Sequence, residues 1–203
     1  MPFVAAAADG SLTTNNYFVT LHPSFFDSSY TAEARIGVDV KGSVKLVNLK
    51  IAKDLKVKSV TFYTGLAQAG TFKYDAKKQV LAVTFKEPLK VGKDGYIEIE
   101  YSGKFGPTGA NKGFYHVEKA TYKTNLKNGN VISLFPILED VAVPVDIVLD
   151  FAYETEVTTN LKTNKKNVKH SEQIISDFSS GTKKIKLSDV EFTMEVPGIL
   201  ILD

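Results

Sequence analysis

Cysteine and tryptophan are both missing from this 203-residue chain, and arginine occurs once, at Arg35. Without cysteine there is no disulfide and no thiolate chemistry, so a packed core has to hold the fold, and a reducing compartment is its natural setting. The planar fork of arginine is what nucleic-acid and phosphate readers rely on. Here 25 basic residues face 23 acidic ones for a net charge of +2, and all but Arg35 of the basic ones are lysines. That balance argues against a nucleic-acid partner. Lysines such as Lys50, Lys56, Lys58 and Lys186 fall at alternate strand positions or in turns, as on a solvated face that resists edge-to-edge aggregation. No Asn-x-Ser/Thr sequon occurs, and the start, Met1 to Asp9, lacks the basic flank of a signal peptide. No apolar run approaches the length of a membrane span. The expectation is a soluble, cytoplasmic protein.

What the chain does have is alternation. Leu81, Val83 and Phe85 alternate with Ala82 and Thr84; Ile97, Ile99 and Tyr101 alternate with Tyr96, Glu98 and Glu100. Such a period of two marks strands wet on one face and buried on the other. With Gly92-Lys93-Asp94-Gly95 between them, the stretch from Gln79 to Tyr101 predicts an antiparallel pair joined by a turn, at the centre of the domain. Further strand patterns run through Tyr17-Val19-Leu21, Ile36-Val38-Val40, Val47-Leu49-Ile51, Val57-Val60-Phe62 and Phe72-Tyr74. Later ones are Gly113–Val117, Val131-Ile132, Ile147-Leu149-Phe151, Val157, Ile174-Ile175, Ile185-Leu187 and Val190–Val196. Residues 102–112 and the polar stretch 160–171 read as loops. With 43% hydrophobic residues the core is adequate. The expected fold is all-β: a flexible arm over residues 1–14, then one β-sandwich of mostly antiparallel sheets over 15–203.

Complete catalytic constellations are lacking. His22, His116 and His170 are scattered, no His-Glu-x-x-His occurs, and no serine sits in a Gly-x-Ser-x-Gly elbow. Glu98/Glu100 and Asp146/Asp150 share the wet faces of their strands, where burial cannot raise a carboxyl pKa for acid–base work. Glu139-Asp140 is a third acidic pair, but calcium-loop spacing is absent. No catalytic residue, metal ligand or cofactor is assigned.

Aromatic residues, 13 Phe and 9 Tyr, suit a β-rich core. Phe25-Phe26, Phe114-Tyr115 and the run Leu134-Phe135-Pro136-Ile137-Leu138 nevertheless put consecutive apolar side chains on both faces of their segments. Either these segments lie deeper than the rest, or they face a partner or ligand.

Several pieces, in order, resemble the N-terminal domain of the zinc aminopeptidases of the aminopeptidase N family. They are Tyr17 to Pro23, Leu49 to Val60, Val83 to Leu89, Ile97 to Gly103, Gly113 to Tyr115, Phe135-Pro136 with Glu139-Asp140, and Lys184 to Leu202. The resemblance implies a large sandwich of mixed and antiparallel sheets. It also places the Phe-Pro segment near the family's catalytic domain. The chain ends where that domain would begin, so the zinc helix and the substrate loop are absent. Asn128 to Leu134 replaces an arginine-rich stretch, and Val141 replaces a proline. No substrate-contacting residue of the family is carried over.

A stand-alone sandwich of this kind would leave the Phe-Pro surface uncovered. Hence the first functional expectation: a non-enzymatic module binding a hydrophobic small molecule, lipid-like or a polyene pigment as in a chromoprotein, at a homodimer interface. Its residues would be Phe114, Tyr115, Leu134, Phe135, Pro136, Ile137 and Leu138, with Phe25 and Phe26 as weaker members. The alternatives are an excised N-terminal domain of a zinc aminopeptidase and a protein-docking module.

Overall fold

A computed structural model describes residues 11–170 and 173–196. Fourteen strands and two 3-10 turns make up the described fold. The strands are β1 (Leu12–Ser24), β2 (Ser29–Val40), β3 (Leu46–Lys50), β4 (Lys56–Tyr63), β5 (Ala67–Asp75), β6 (Val80–Phe85) and β7 (Gly92–Lys104). They continue as β8 (Gly113–Glu118), β9 (Thr121–Asn125), β10 (Val145–Phe151), β11 (Glu156–Thr159), β12 (Lys162–His170), β13 (Gln173–Ser179) and β14 (Phe192–Glu195). The fold is all-β and mostly antiparallel. Ten strands form one sheet in the order β12-β13-β10-β1-β2-β7-β4-β5-β6-β3, and four form a second in the order β11-β14-β9-β8.

Alternation does what the sequence predicts. On β10, Val145, Ile147, Leu149 and Phe151 are buried while Asp146, Val148 and Asp150 face outward; on β7, Ile97, Ile99 and Tyr101 point in and Glu98 and Glu100 out. The inner face of the large sheet packs on the small one. Phe178 of β13 meets Phe192 of β14 at 5.6 Å between ring centroids, and Phe25 meets Tyr122 of β9 at 4.8 Å. β5 serves two neighbours: Ala67–Ala69 pair with β4, and from Gly70 onward the strand pairs with β6. A side chain at Gly70 would run into Val83 and Phe85, so the bare backbone is what lets these layers close up. β1 and β10 pair in parallel, Tyr17 to Leu21 against Val145 to Leu149.

Several expectations are corrected. β6 and β7 are not partners: β7 lies between β2 and β4, and β6 between β3 and β5. Gly92 to Gly95 is the start of β7 rather than a turn, because residues 86–91 already make the connection. Leu12, Thr13 and Thr14, expected in a flexible arm, belong to β1 and pair with Val40, Asp39 and Val38; residues 1–10 lie outside the described residues. The polar stretch 160–171 carries β12, an edge strand with two register shifts and Asn167 at φ 51°. A lysine-rich edge strand has almost no apolar alternation of its own to advertise it, and that composition is how edges are kept from pairing. Val131-Ile132 lies in the 3-10 turn Asn130–Ser133, entered through Gly129 at φ 83°. Ile185 makes a single bridge to Val143, and Leu187 opens the second 3-10 turn, Leu187–Asp189. Of the family-like ending, residues 197–202 lie outside the described residues.

Candidate functional site

The apolar run expected to face a ligand is interior. Leu134 and Phe135 are fully buried, Phe114 is 2% exposed, and Pro136, Ile137 and Leu138 are also buried. Tyr115 is half-buried on β8. Apart from Tyr115, these positions are covered, and the reason is local. The Leu134 amide closes the 3-10 turn on the Val131 carbonyl, the Phe135 amide donates to the same oxygen, and Ile137 exchanges both backbone hydrogen bonds with Lys50 of β3. Phe114 joins Phe25, Tyr30, Phe105 and Tyr122 in one ring cluster, with Phe105 and Phe114 only 4.4 Å apart. Both faces of the run are apolar because protein lies on both sides of it. Phe25 is in this core, whereas Phe26, at the tip of the β1–β2 turn, is 89% exposed.

Buried phenols line the same interior. Burial pushes the Tyr17 hydroxyl up to about 12, and the hydroxyl donates a 2.6 Å hydrogen bond to the Glu139 carbonyl. Tyr30 and Tyr101 are driven higher still by burial, and the Tyr101 hydroxyl has no hydrogen-bond partner among the described residues.

Acid–base groups fall elsewhere and do not assemble. His116 is committed on both ring nitrogens, Nδ1 to the Thr108 hydroxyl at 2.9 Å and Nε2 to the Lys119 carbonyl at 2.6 Å. His22 Nδ1 meets Asp150 at 2.9 Å on the outer face of β1 and β10. Among the described residues no hydroxyl bonds this pair, so it lacks the nucleophile of a triad. His170 ends β12. Glu98 is bound to Arg35 and Glu100 to Lys58, the roles of a wet face. Asp140 accepts the Ser188 amide. Among the described residues no group of three potential ligands could hold a metal ion, and no helix is long and apolar enough to cross a membrane.

The built feature of the surface lies on the outer face of the large sheet, around the single arginine. Across β1, β2, β7 and β4 the register sets Asn16, Gly37, Tyr96 and Tyr63 in one row, and Phe18, Arg35, Glu98 and Thr61 in the next. The Arg35 guanidinium sits 5.9 Å from the Phe18 ring centroid and 5.6 Å from that of Tyr96, within cation–π range. Its Nε donates to Glu98 at 2.9 Å and its Nη2 meets Glu33 at 2.8 Å. Partial burial works against its charge, but the Glu98 hydrogen bond and the nearby carboxylates outweigh that and hold its pKa above the ordinary value. Tyr63 stacks on Tyr96 with centroids 4.9 Å apart.

Beside this row a cleft of about 370 Å³ opens, lined by Asn15, Asn16, Phe18, Arg35, Gly37, Lys93, Asp94, Gly95 and Tyr96. Two irregularities of the ladder shape it. On β1 the register steps from Thr14 opposite Val38 to Asn16 opposite Gly37, leaving Asn15 as an extra residue. On β7 it steps from Gly95 opposite Val38 to Gly92 opposite Val40. Bulges on both neighbours of β2 bend the ladder and re-aim side chains, as bulges beside functional sites do. Sequence reasoning missed this place because Asn15-Asn16, Gly37 and Lys93–Tyr96 meet only through long-range pairing. An isolated glycine inside a strand pattern, Gly37, was the available signal.

No match is found among curated protein sequences. A family model described as the peptidase M1 N-terminal domain matches residues 13–135, a stretch that holds β1 from its second residue, β2 to β9, and every residue lining the cleft. Since that match covers well over half of the chain, the protein belongs to the peptidase M1 N-terminal domain family.

Proposed function

We propose that the chain is a non-catalytic binding module that takes a hydrophobic small molecule, lipid-like or polyene, on the outer face of the large sheet. The observation that carries this reading is the half-exposed aromatic group Phe18, Tyr96 and Tyr63, spread over two adjacent rows beside a concave cleft. The wet face around these rings is charged, with Glu33 and Glu98 on Arg35 and Glu100 on Lys58, and aromatic rings in such company are suited to a flat apolar body. The module would use Phe114 and the 134–138 run as the rigid core behind that face, not as the contact surface. A second copy across the row would cover rings that one chain leaves half exposed, which is the place for the expected homodimer. The test is titration with all-trans-retinol, read as quenching of tyrosine emission, which no tryptophan masks. Saturable quenching that disappears in the Phe18→Ala/Tyr96→Ala double variant supports the reading. Equal quenching in both proteins sinks it.

One observation favours a second reading: the matched model is the N-terminal domain of a peptidase family. The chain would then be the leading domain of a zinc aminopeptidase. A transcript running past Asp203 into a His-Glu-x-x-His sequence decides for it.

A further inference from the structure

The cleft beside Arg35 has an unmet hydrogen-bonding demand. The Asn15 amide is oriented by its Nδ2, which donates to Asp39 at 2.9 Å and to the Lys93 carbonyl at 3.3 Å. Its Oδ1 is therefore turned the other way, and it is buried without a donor among the described residues. The β1 bulge aims the neighbouring Asn16 at the same point. A side chain on Gly37 would collide with Asn15 Oδ1 and Asn16 Oδ1, so two carboxamide oxygens converge over a bare stretch of backbone. Two acceptors facing one spot call for a donor.

The charge around this spot says which donor. Glu33 and Glu98 already neutralise Arg35. What remains is Asp39 and Asp94 against Lys93, a negative balance. The Phe18 and Tyr96 rings already carry Arg35 over their faces, so a second cation belongs at the Asn15/Asn16 end and not on the rings. We propose that the Asn15/Asn16 end of the cleft is a subsite for an organic ammonium group, with the flat body of the same molecule lying on Phe18 and Tyr96. Asn16 is exposed and swings aside to admit it, so that the ammonium donates to both amide oxygens. This rests on the outer face being the binding surface, and it adds the chemistry of the ligand's head group.

Benzylammonium is the probe, titrated into the isotope-labelled full chain and followed by amide chemical shifts, with benzyl alcohol and benzoate as controls. The expected result is saturable movement at Asn15, Asn16, Gly37 and Tyr96 for benzylammonium, weaker movement for the alcohol and none for benzoate. Asn16→Asp should tighten the amine by about tenfold and Asn16→Lys should weaken it by at least as much, both effects shrinking as salt is added. Both are exposed substitutions that leave the fold intact. Benzoate binding as well as the amine would make Arg35 the anchor and overturn the proposal. Indifference to Asn16→Lys, or a free-state signal showing that the Asn16 NH₂ itself fills Asn15 Oδ1, would do the same. The retinol titration separates the two readings: amine binding without retinol binding leaves the subsite standing and removes the hydrophobic ligand.

Discussion

Two aromatic groups sit on opposite sides of the large sheet, and they work in opposite ways. The inner one, Phe25, Tyr30, Phe105, Phe114 and Tyr122, is a continuous ring cluster between the two sheets. The outer one, Phe18, Tyr96 and Tyr63, is threaded by a guanidinium and two carboxylates. The contrast teaches that aromatic content does not locate a surface; the partners of each ring do. Rings surrounded by rings hold the layers together, and rings interleaved with charges remain available to a visitor.

The comparison breaks if the inner run is dispensable. Phe135→Ala removes a fully buried ring and should cost about 3–5 kcal/mol in urea unfolding; Phe135→Asp should not fold. A marginal loss for the alanine variant would return the run to the surface. Next in size is an alkaline effect of the inner phenols. The folded chain holds the Tyr17 proton up to about 12, whereas an unfolded tyrosine releases it near about 10. Stability is therefore complete below about pH 10 and drains away as pH rises through about 12, by about 2–3 kcal/mol for this one group. The urea midpoint followed along that range checks it; a flat profile would mean that Tyr17 reaches water.

Smaller changes sharpen the contrast. Tyr101→Phe deletes a buried hydroxyl that has no partner among the described residues, and should be neutral or stabilise by up to about 1 kcal/mol. A clear loss would reveal a hydrogen bond to that hydroxyl. On the other face, Phe18→Ala and Tyr96→Ala each remove a half-exposed ring and should shift stability by less than about 1 kcal/mol. Larger losses would make the outer row a second core instead of a binding surface.

How far the sequence alone leads can be seen at single residues. Ile97, Ile99 and Tyr101 announced a strand with Glu98 and Glu100 on its wet side, because alternation is a local signal. The neighbours of that strand were not legible, since pairing β7 with β2 and β4 depends on contacts far apart in the chain. The 134–138 run showed its lack of a wet face, but not whether protein or solvent lay beyond. Arg35 was conspicuous as the one arginine, yet Phe18 and Tyr96 reach it only after three strands have found their register. The cleft is less legible still, for its shape comes from two bulges, and a bulge has little signature beyond a stray glycine.

The parallel pairing of β1 with β10 has a consequence for how the chain comes off the ribosome. β2, β7 and β4 can assemble on β1 as soon as Lys104 has emerged, but the other edge of β1 finds no partner until Val145 to Leu149 are made. Throughout that interval Tyr17, Val19 and Leu21 line an open strand edge, the kind of site at which one nascent chain pairs with another. The family-matched stretch closes at Phe135, short of that partner. A fragment cut there would carry the whole cleft and still be prone to clump, and the remaining third of the sequence is what makes the first two-thirds safe to synthesise.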